Sequence, residues 1–109
     1  MQGAGDSPPV FLSMDVEAVA TGPGHNDREP CWVAVVNERG DELLNLKIKV
    51  ENCFSALTSI TGVTKEELDE AGLPFSEVQR QVKDCMGPNV VLVGQRVQGD
   101  IDWMQVTLI

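Results

Sequence analysis

The stretch Val10-Phe-Leu-Ser-Met-Asp-Val-Glu17 constrains this chain more than any other. Its even positions, Val10, Leu12, Met14 and Val16, are apolar, and its odd positions end in Asp15 and Glu17. Successive side chains on a strand point to opposite faces, so this alternation predicts a β-strand over residues 10–17. The apolar face needs a core to cover it. Asp15 and Glu17 then project together from the other face. Adjacent carboxylates repel, and hard oxygen ligands of this kind suit Mg²⁺ or Mn²⁺. Two solvated acids on a half-exposed strand are the plainer reading of the same residues. The remainder of the chain decides between the two.

Residues 31–36 are apolar throughout and predict a second strand, buried on both faces and therefore central. Asn37 to Asp41 reads as a turn, with Gly40 able to take positive φ. Over 43–50, Leu44, Leu46, Ile48 and Val50 alternate with Asn45, Lys47 and Lys49. This predicts a third strand, antiparallel to the second, with the two lysines on its wet face. Residues 51–60 read as irregular. Thr64 with Glu67 three residues on forms a capping box, opening a short helix that ends near Ala71, before Gly72. Pro74 opens a second helix, with Phe75, Val78, Val82 and Cys85 or Met86 as its apolar stripe and Gly87-Pro88 as its end. The wholly apolar residues 90–93 predict a buried parallel strand. Gly94-Gln95 makes the turn after it, and residues 97–104 a helix with Asp100 and Asp102 in its first turns. The turn-rich loop 18–30 holds His25, the single histidine, read as solvated. Residues 1–9, rich in Gly and Pro, predict a flexible lead, leaving 10–109 as the domain.

This order predicts an α/β fold: a mixed sheet, made of a three-stranded antiparallel meander and a later parallel strand, with flanking helices. A right-handed crossover sets the 90–93 strand beside the 10–17 strand. Asp100 then emerges near Asp15 and Glu17, giving two acids from one strand and a third from a neighbouring strand–helix junction.

Bulk properties narrow the function classes. A chain of 109 residues fits one small domain. No apolar run approaches the roughly 20 residues of a membrane span, so no membrane role is expected. The first residues lack a signal-peptide pattern. Cys31, Cys53 and Cys85 form no metal-ligand pair and no evident disulfide framework, which favours a reducing intracellular compartment. The net charge of −9 counts against non-specific nucleic-acid binding, which draws its affinity from a basic face. A site that grips phosphate through bound metal ions escapes that objection.

Three segments, in order, resemble the DEDD 3′–5′ exonucleases of the ribonuclease H-like fold, most of all the eukaryotic RNA-exonuclease branch. Phe11 to Glu17 resembles the first motif, an apolar strand ending in Asp-x-Glu. Ile60-Thr-Gly-Val-Thr64 with Leu73-Pro-Phe-Ser-Glu-Val78 resembles the family's turn and helix. Val91-Leu-Val-Gly94-Gln95 with Asp100 resembles the second motif. The resemblance covers residues 11–104. It implies that Asp15 and Glu17 bind Mg²⁺ or Mn²⁺ in a two-metal site, that Asp100 completes the acidic cluster, and that Met14 and Val16 line the approach of the terminal nucleotide. It implies the 3′ end of RNA, or of single-stranded DNA, as partner, and favours nuclear over cytoplasmic placement.

The chain departs from the family pattern in three ways. Gln95 stands where many relatives carry His. Asp102 is an extra acid, read as solvated. The family's last motif, with its His or Tyr general base and fourth Asp, has no counterpart here, since there is no Tyr and His25 precedes the second motif. The expected domain is therefore C-terminally truncated, with apolar surface left open, and the 109 residues alone are expected to be poorly active or inactive. The alternatives are a truncated, non-catalytic binding or regulatory module and an unrelated small α/β interaction module whose acids are merely solvated.

Overall fold

The computed structural model describes residues 8–94 and 97–105, with the side chain of Val97 outside that description. Most of the expected lead over 1–9, and Gln95, lie outside the described residues.

The elements run β1 (Val10–Ala20), β2 (Arg28–Asn37), β3 (Glu42–Lys47), α1 (Thr58–Thr61), α2 (Lys65–Ala71), α3 (Phe75–Cys85), β4 (Val90–Val93) and α4 (Val97–Met104). The sheet order is β3-β2-β1-β4, with β1 and β3 antiparallel to β2 and β4 parallel to β1. This is the predicted mixed sheet with flanking helices, and β2 is central as its two-sided apolar character requires.

The period-two pattern of β1 works as read: Leu12, Met14 and Val16 are buried and Asp15 is exposed. They join Val33 and Val35 of β2, Val78 and Val82 of α3, and Met104 of α4 in the main core. Each fully buried apolar side chain of this size is worth about 1.5–3 kcal/mol. The helices α3 and α4 therefore cover the even face of β1 and leave the odd face open.

A β-bulge between Glu17 and Ala18 changes the register: Glu17 pairs with Trp32 but Ala18 pairs with Pro30, leaving Cys31 without a partner on β1. At this end of the sheet Val19, Cys31, Val50, Val63 and Leu68 form a second cluster, with Trp32, Cys53 and Ala56 packed against it. The pattern over 43–50 does not make one face. The strand stops at Lys47, so Ile48 enters the main core and Val50 the second cluster.

The capping position is as expected. Thr64 Oγ1 accepts from the Glu67 N–H at 3.2 Å, although its hydroxyl meets the Glu67 carboxylate at 3.3 Å in place of the reciprocal backbone bond. The helix α2 ends at Gly72, which has φ −70° and so is not there for left-handed backbone. A Cβ at Gly72 would sit 2.3 Å from the Leu68 carbonyl oxygen and 2.7 Å from the Lys49 nitrogen. Close packing of the helix end on the chain after β3 is what demands glycine. The segment 51–60, read as irregular, contains the one-turn helix α1. Its N-cap Leu57 has φ 50° and its side chains give no periodic signal, with Ile60 74% exposed.

The strand β4 is parallel as expected but not buried. Among the described residues it is an edge strand, and its Val91 and Val93 are 42% and 46% exposed. They lie on the open face beside Phe11, because Phe11 pairs with Val91 and Ser13 with Val93. Among the described residues no helix is long and apolar enough to cross a membrane.

Candidate active site

The odd face of β1 carries the candidate chemistry. The cross-strand registers set side chains in rows on that face. Glu17, Trp32 and Lys47 form one row, and Asp15, Ala34 and Asn45 the next. The small Ala34 leaves a depression of about 80 Å³ lined by Asp15, Glu17, Trp32 and Ala34. A water occupies about 30 Å³ in the liquid, so the depression holds two or three waters or a group of similar size.

Asp100 reaches the same place from α4. The strand β4 pairs with β1 only from Val10 to Ser13. Among the described residues that edge of β1 is unpaired between Ser13 and Ala20, where Ser55 bridges it, and the Val16 backbone N–H there acts to hold the Asp100 carboxyl down. The acids repel one another as expected of like charges in one place. Burial raises the Glu17 carboxyl above its ordinary value, and the charge of Asp15, a hydrogen bond with Asp15 and the charge of Asp100 push it the same way. Burial and the charge of Asp15 likewise raise Asp100, with the Val16 bond acting against them.

The structure thus brings Asp15, Glu17 and Asp100 within electrostatic reach. Their donor set, hard carboxylate oxygens crowded by like charge, fits a divalent cation. As they stand, no three His, Cys, Asp or Glu side chains among the described residues converge tightly enough to hold one. Other expected residues fall differently. Met14 and Val16 are 3% and 9% exposed and point into the main core, opposite the acids. The two-residue period of the strand sends their side chains to the face away from Asp15. What Val16 offers the site is its backbone N–H. Asp102 is exposed and accepts from Gln98 Nε2 at 3.1 Å. His25 is exposed in the β1–β2 loop.

Lys47 was read as part of a wet face, and it does lie on the open face of the sheet, though less exposed than that reading expects. It is half-buried, with its Nζ 4.6 Å from the centroid of the Trp32 ring, whereas Lys49 is exposed. Trp32 Nε1 donates to Asn45 Oδ1 at 2.5 Å. Counting the hairpin register outward from the 37–41 turn would put Leu46 opposite Trp32; the bulge between Val35 and Val36 shifts the pairing by one residue and brings Lys47 there instead. Burial pushes the Cys31 thiol up to about 12, with the charges of Glu17 and Cys53 adding and Lys47 opposing. That places Cys31 near the same row as a neutral, unreactive thiol.

A larger cavity, of about 400 Å³, is lined among others by Arg28, Glu29, Lys49, Phe75, Asp102 and Trp103. Its charges cancel, and Arg28 Nη1 already donates to the Gly24 and Asp27 carbonyls at 3.1 and 2.9 Å. Size alone does not make it the centre of chemistry; the small depression has the acids.

No family model matches the chain. It is 34% identical over 97 residues to RNA exonuclease 5 of Homo sapiens, covering 88% of this chain and 12% of that protein. It is 28% identical over 98 residues to RNA exonuclease 4 of Candida glabrata, covering 89% of this chain and 36% of that protein. The chain therefore spans only a minor part of these relatives. Among solved structures it superimposes on the apo Pan2 pseudoubiquitin hydrolase-RNA exonuclease module of Saccharomyces cerevisiae with a TM-score of 0.76 at 15% identity, covering 100% of this chain and 21% of that one. The same module in complex with AAGGA RNA gives 0.75.

Proposed function

We propose that this chain, which is similar to RNA exonucleases in sequence and resembles the N-terminal part of a DEDD exonuclease domain of the ribonuclease H-like fold, supplies the first three carboxylates of a 3′–5′ exonuclease site for RNA. The observation that carries the reading is the meeting of Asp15, Glu17 and Asp100 at the free edge of β1. Asp15 and Glu17 would hold Mg²⁺ or Mn²⁺, and Asp100 would close on it directly or through water. With a divalent ion held by these residues, the site would have an activated water and a charge to offset that of the phosphate. The carboxylates hold position and lose their mutual repulsion when it binds. RNA as substrate is supported by the names of the sequence relatives and by the RNA-bound form of the yeast module. The same kinship is the ground on which we read the setting as intracellular, nuclear before cytoplasmic.

A second reading is a non-catalytic binding or regulatory module. It is favoured by one observation: these 109 residues hold no tyrosine, and the one histidine, His25, sits exposed in the β1–β2 loop. No residue here is assigned as general base or fourth acid. We expect the 109-residue chain alone to bind Mn²⁺ and turn over little RNA. The experiment is calorimetric titration with Mn²⁺ beside a 5′-labelled single-stranded RNA decay assay. Mn²⁺ binding lost in Asp15→Asn supports the site. Stepwise shortening from the 3′ end would show the chain to be catalytic by itself. Absence of Mn²⁺ binding would overturn the exonuclease-site reading.

A further inference from the structure

We propose that Lys47, perched over the Trp32 ring, is the phosphate-binding cation of the RNA strand next to the acids, with Trp32 and Asn45 as its positioning residues. The inference rests on the RNA-exonuclease reading above and deepens it. Three carboxylates at the edge of β1 repel an incoming phosphodiester, and the chain as a whole carries a charge of −9. A strand entering this site needs a positive foothold beside it. On the open face of the sheet the described residues offer one. Phe11, Ser13, Ala34, Val36, Val91 and Val93 are uncharged, and Lys47 is the cation of that face.

Its placement is built. Lys47 is the direct cross-strand partner of Trp32, which is the direct partner of Glu17. With strands roughly 5 Å apart, Lys47 and Glu17 stand about 10 Å apart along one row. The depression beneath Ala34 opens next to this row. The ammonium lies 4.6 Å from the indole centroid, an attraction worth roughly 0.5–1 kcal/mol at exposed sites. The indole is itself held: Nε1 donates to Asn45, and Gly62 packs near Cζ3, where a Cβ would come to 3.7 Å. None of the ion pairs among the described residues involves Lys47. A cation fixed by an aromatic face and not neutralised by a carboxylate remains open to an anion. Because the lysine occupies one side of the ring, Trp32 serves as its perch and not as a base-stacking platform.

The test is equilibrium binding of a single-stranded oligoribonucleotide to the intact protein with Ca²⁺ present, repeated over a series of salt concentrations. Wild type, Lys47→Ala, Lys47→Arg and Lys49→Ala are compared. Loss of one charge-assisted phosphate contact predicts about tenfold weaker binding for Lys47→Ala. The slope of log K against log salt should fall by about 0.7, the single-strand value for one phosphate. Lys47→Arg should restore both. Lys49→Ala, the same charge change at an exposed site off the Trp32 ring, should move the slope less. Equal effects of Lys47→Ala and Lys49→Ala, or an unchanged slope in Lys47→Ala, would overturn the inference while leaving the exonuclease reading intact. Failure of wild type to bind the RNA at all would overturn the exonuclease reading and this inference with it.

Discussion

Glu17 and Asp15 lie within hydrogen-bonding reach of each other on the open face of β1, so the proton of one carboxyl is held in part by the charge of the other. The pair is the element a divalent cation would replace. Asp15→Asn and Glu17→Gln should each weaken Mn²⁺ binding by at least tenfold, and the double substitution should abolish it. Asp100→Asn should weaken it less, because its carboxylate approaches from a second element. Isothermal titration reads all four.

The same crowding sets a pH dependence. Glu17 and Asp100 have raised values in the folded state, relative to ordinary values of 4.5 and 3.8. The folded protein holds these protons more tightly than the unfolded chain. Their contribution to stability is fully present below the ordinary values and is lost as pH rises through the raised ones. Without divalent ions, Glu17→Gln should therefore melt above wild type at pH 7 and level with it below pH 3.8. The gain at pH 7 should be a few degrees at most, since exposed charge pairs are worth below about 1 kcal/mol and that is about 4–8 °C in a domain of this size. Added Mn²⁺ should raise the wild-type melting temperature and leave the variant behind.

Gly72→Ala should be costly although its φ of −70° suits alanine. The new methyl would meet backbone atoms of Leu68 and Lys49 at 2.3 and 2.7 Å, and neither can rotate away. A loss of at least about 2 kcal/mol is expected, in the range of overpacked sites. Urea denaturation measures it, and a loss under 0.5 kcal/mol, about the scatter of neutral surface changes, would show that the junction yields.

Thr64→Ala removes the side-chain acceptor for the Glu67 N–H. It should cost about 1 kcal/mol, read as a lower urea midpoint at unchanged slope. Thr64→Ser should retain most of the stability.

Features that declare themselves locally were legible in the sequence. The alternation of β1 located both the core side and the acid side, and the stripe of Val78 and Val82 located the buried face of α3. The crossover rule was enough to bring Asp100 toward Asp15. What escaped depended on register between strands. The bulge that isolates Cys31 leaves no trace in composition, and it decides which residues after Glu17 face the second cluster. Lys47 looked like any lysine on an alternating strand, since its partner Trp32 lies across a turn. Leu57 enters the left-handed region without glycine, so the single turn of α1 had no sequence signal. The exposure of Val91 and Val93 follows from the uncovered face of the sheet that they share with Phe11, which an apolar run cannot announce.

One further consequence belongs to the place where β4 stops. Its last partner on β1 is Ser13. Were the ladder to run on past Val16, that N–H would bond a neighbouring carbonyl, and new backbone would occupy the gap through which Asp100 enters. Every acid would still be written in the chain, and the third would be shut out. The end of a short strand therefore works as a gauge: three extra residues of pairing would erase the constellation without touching any of its members.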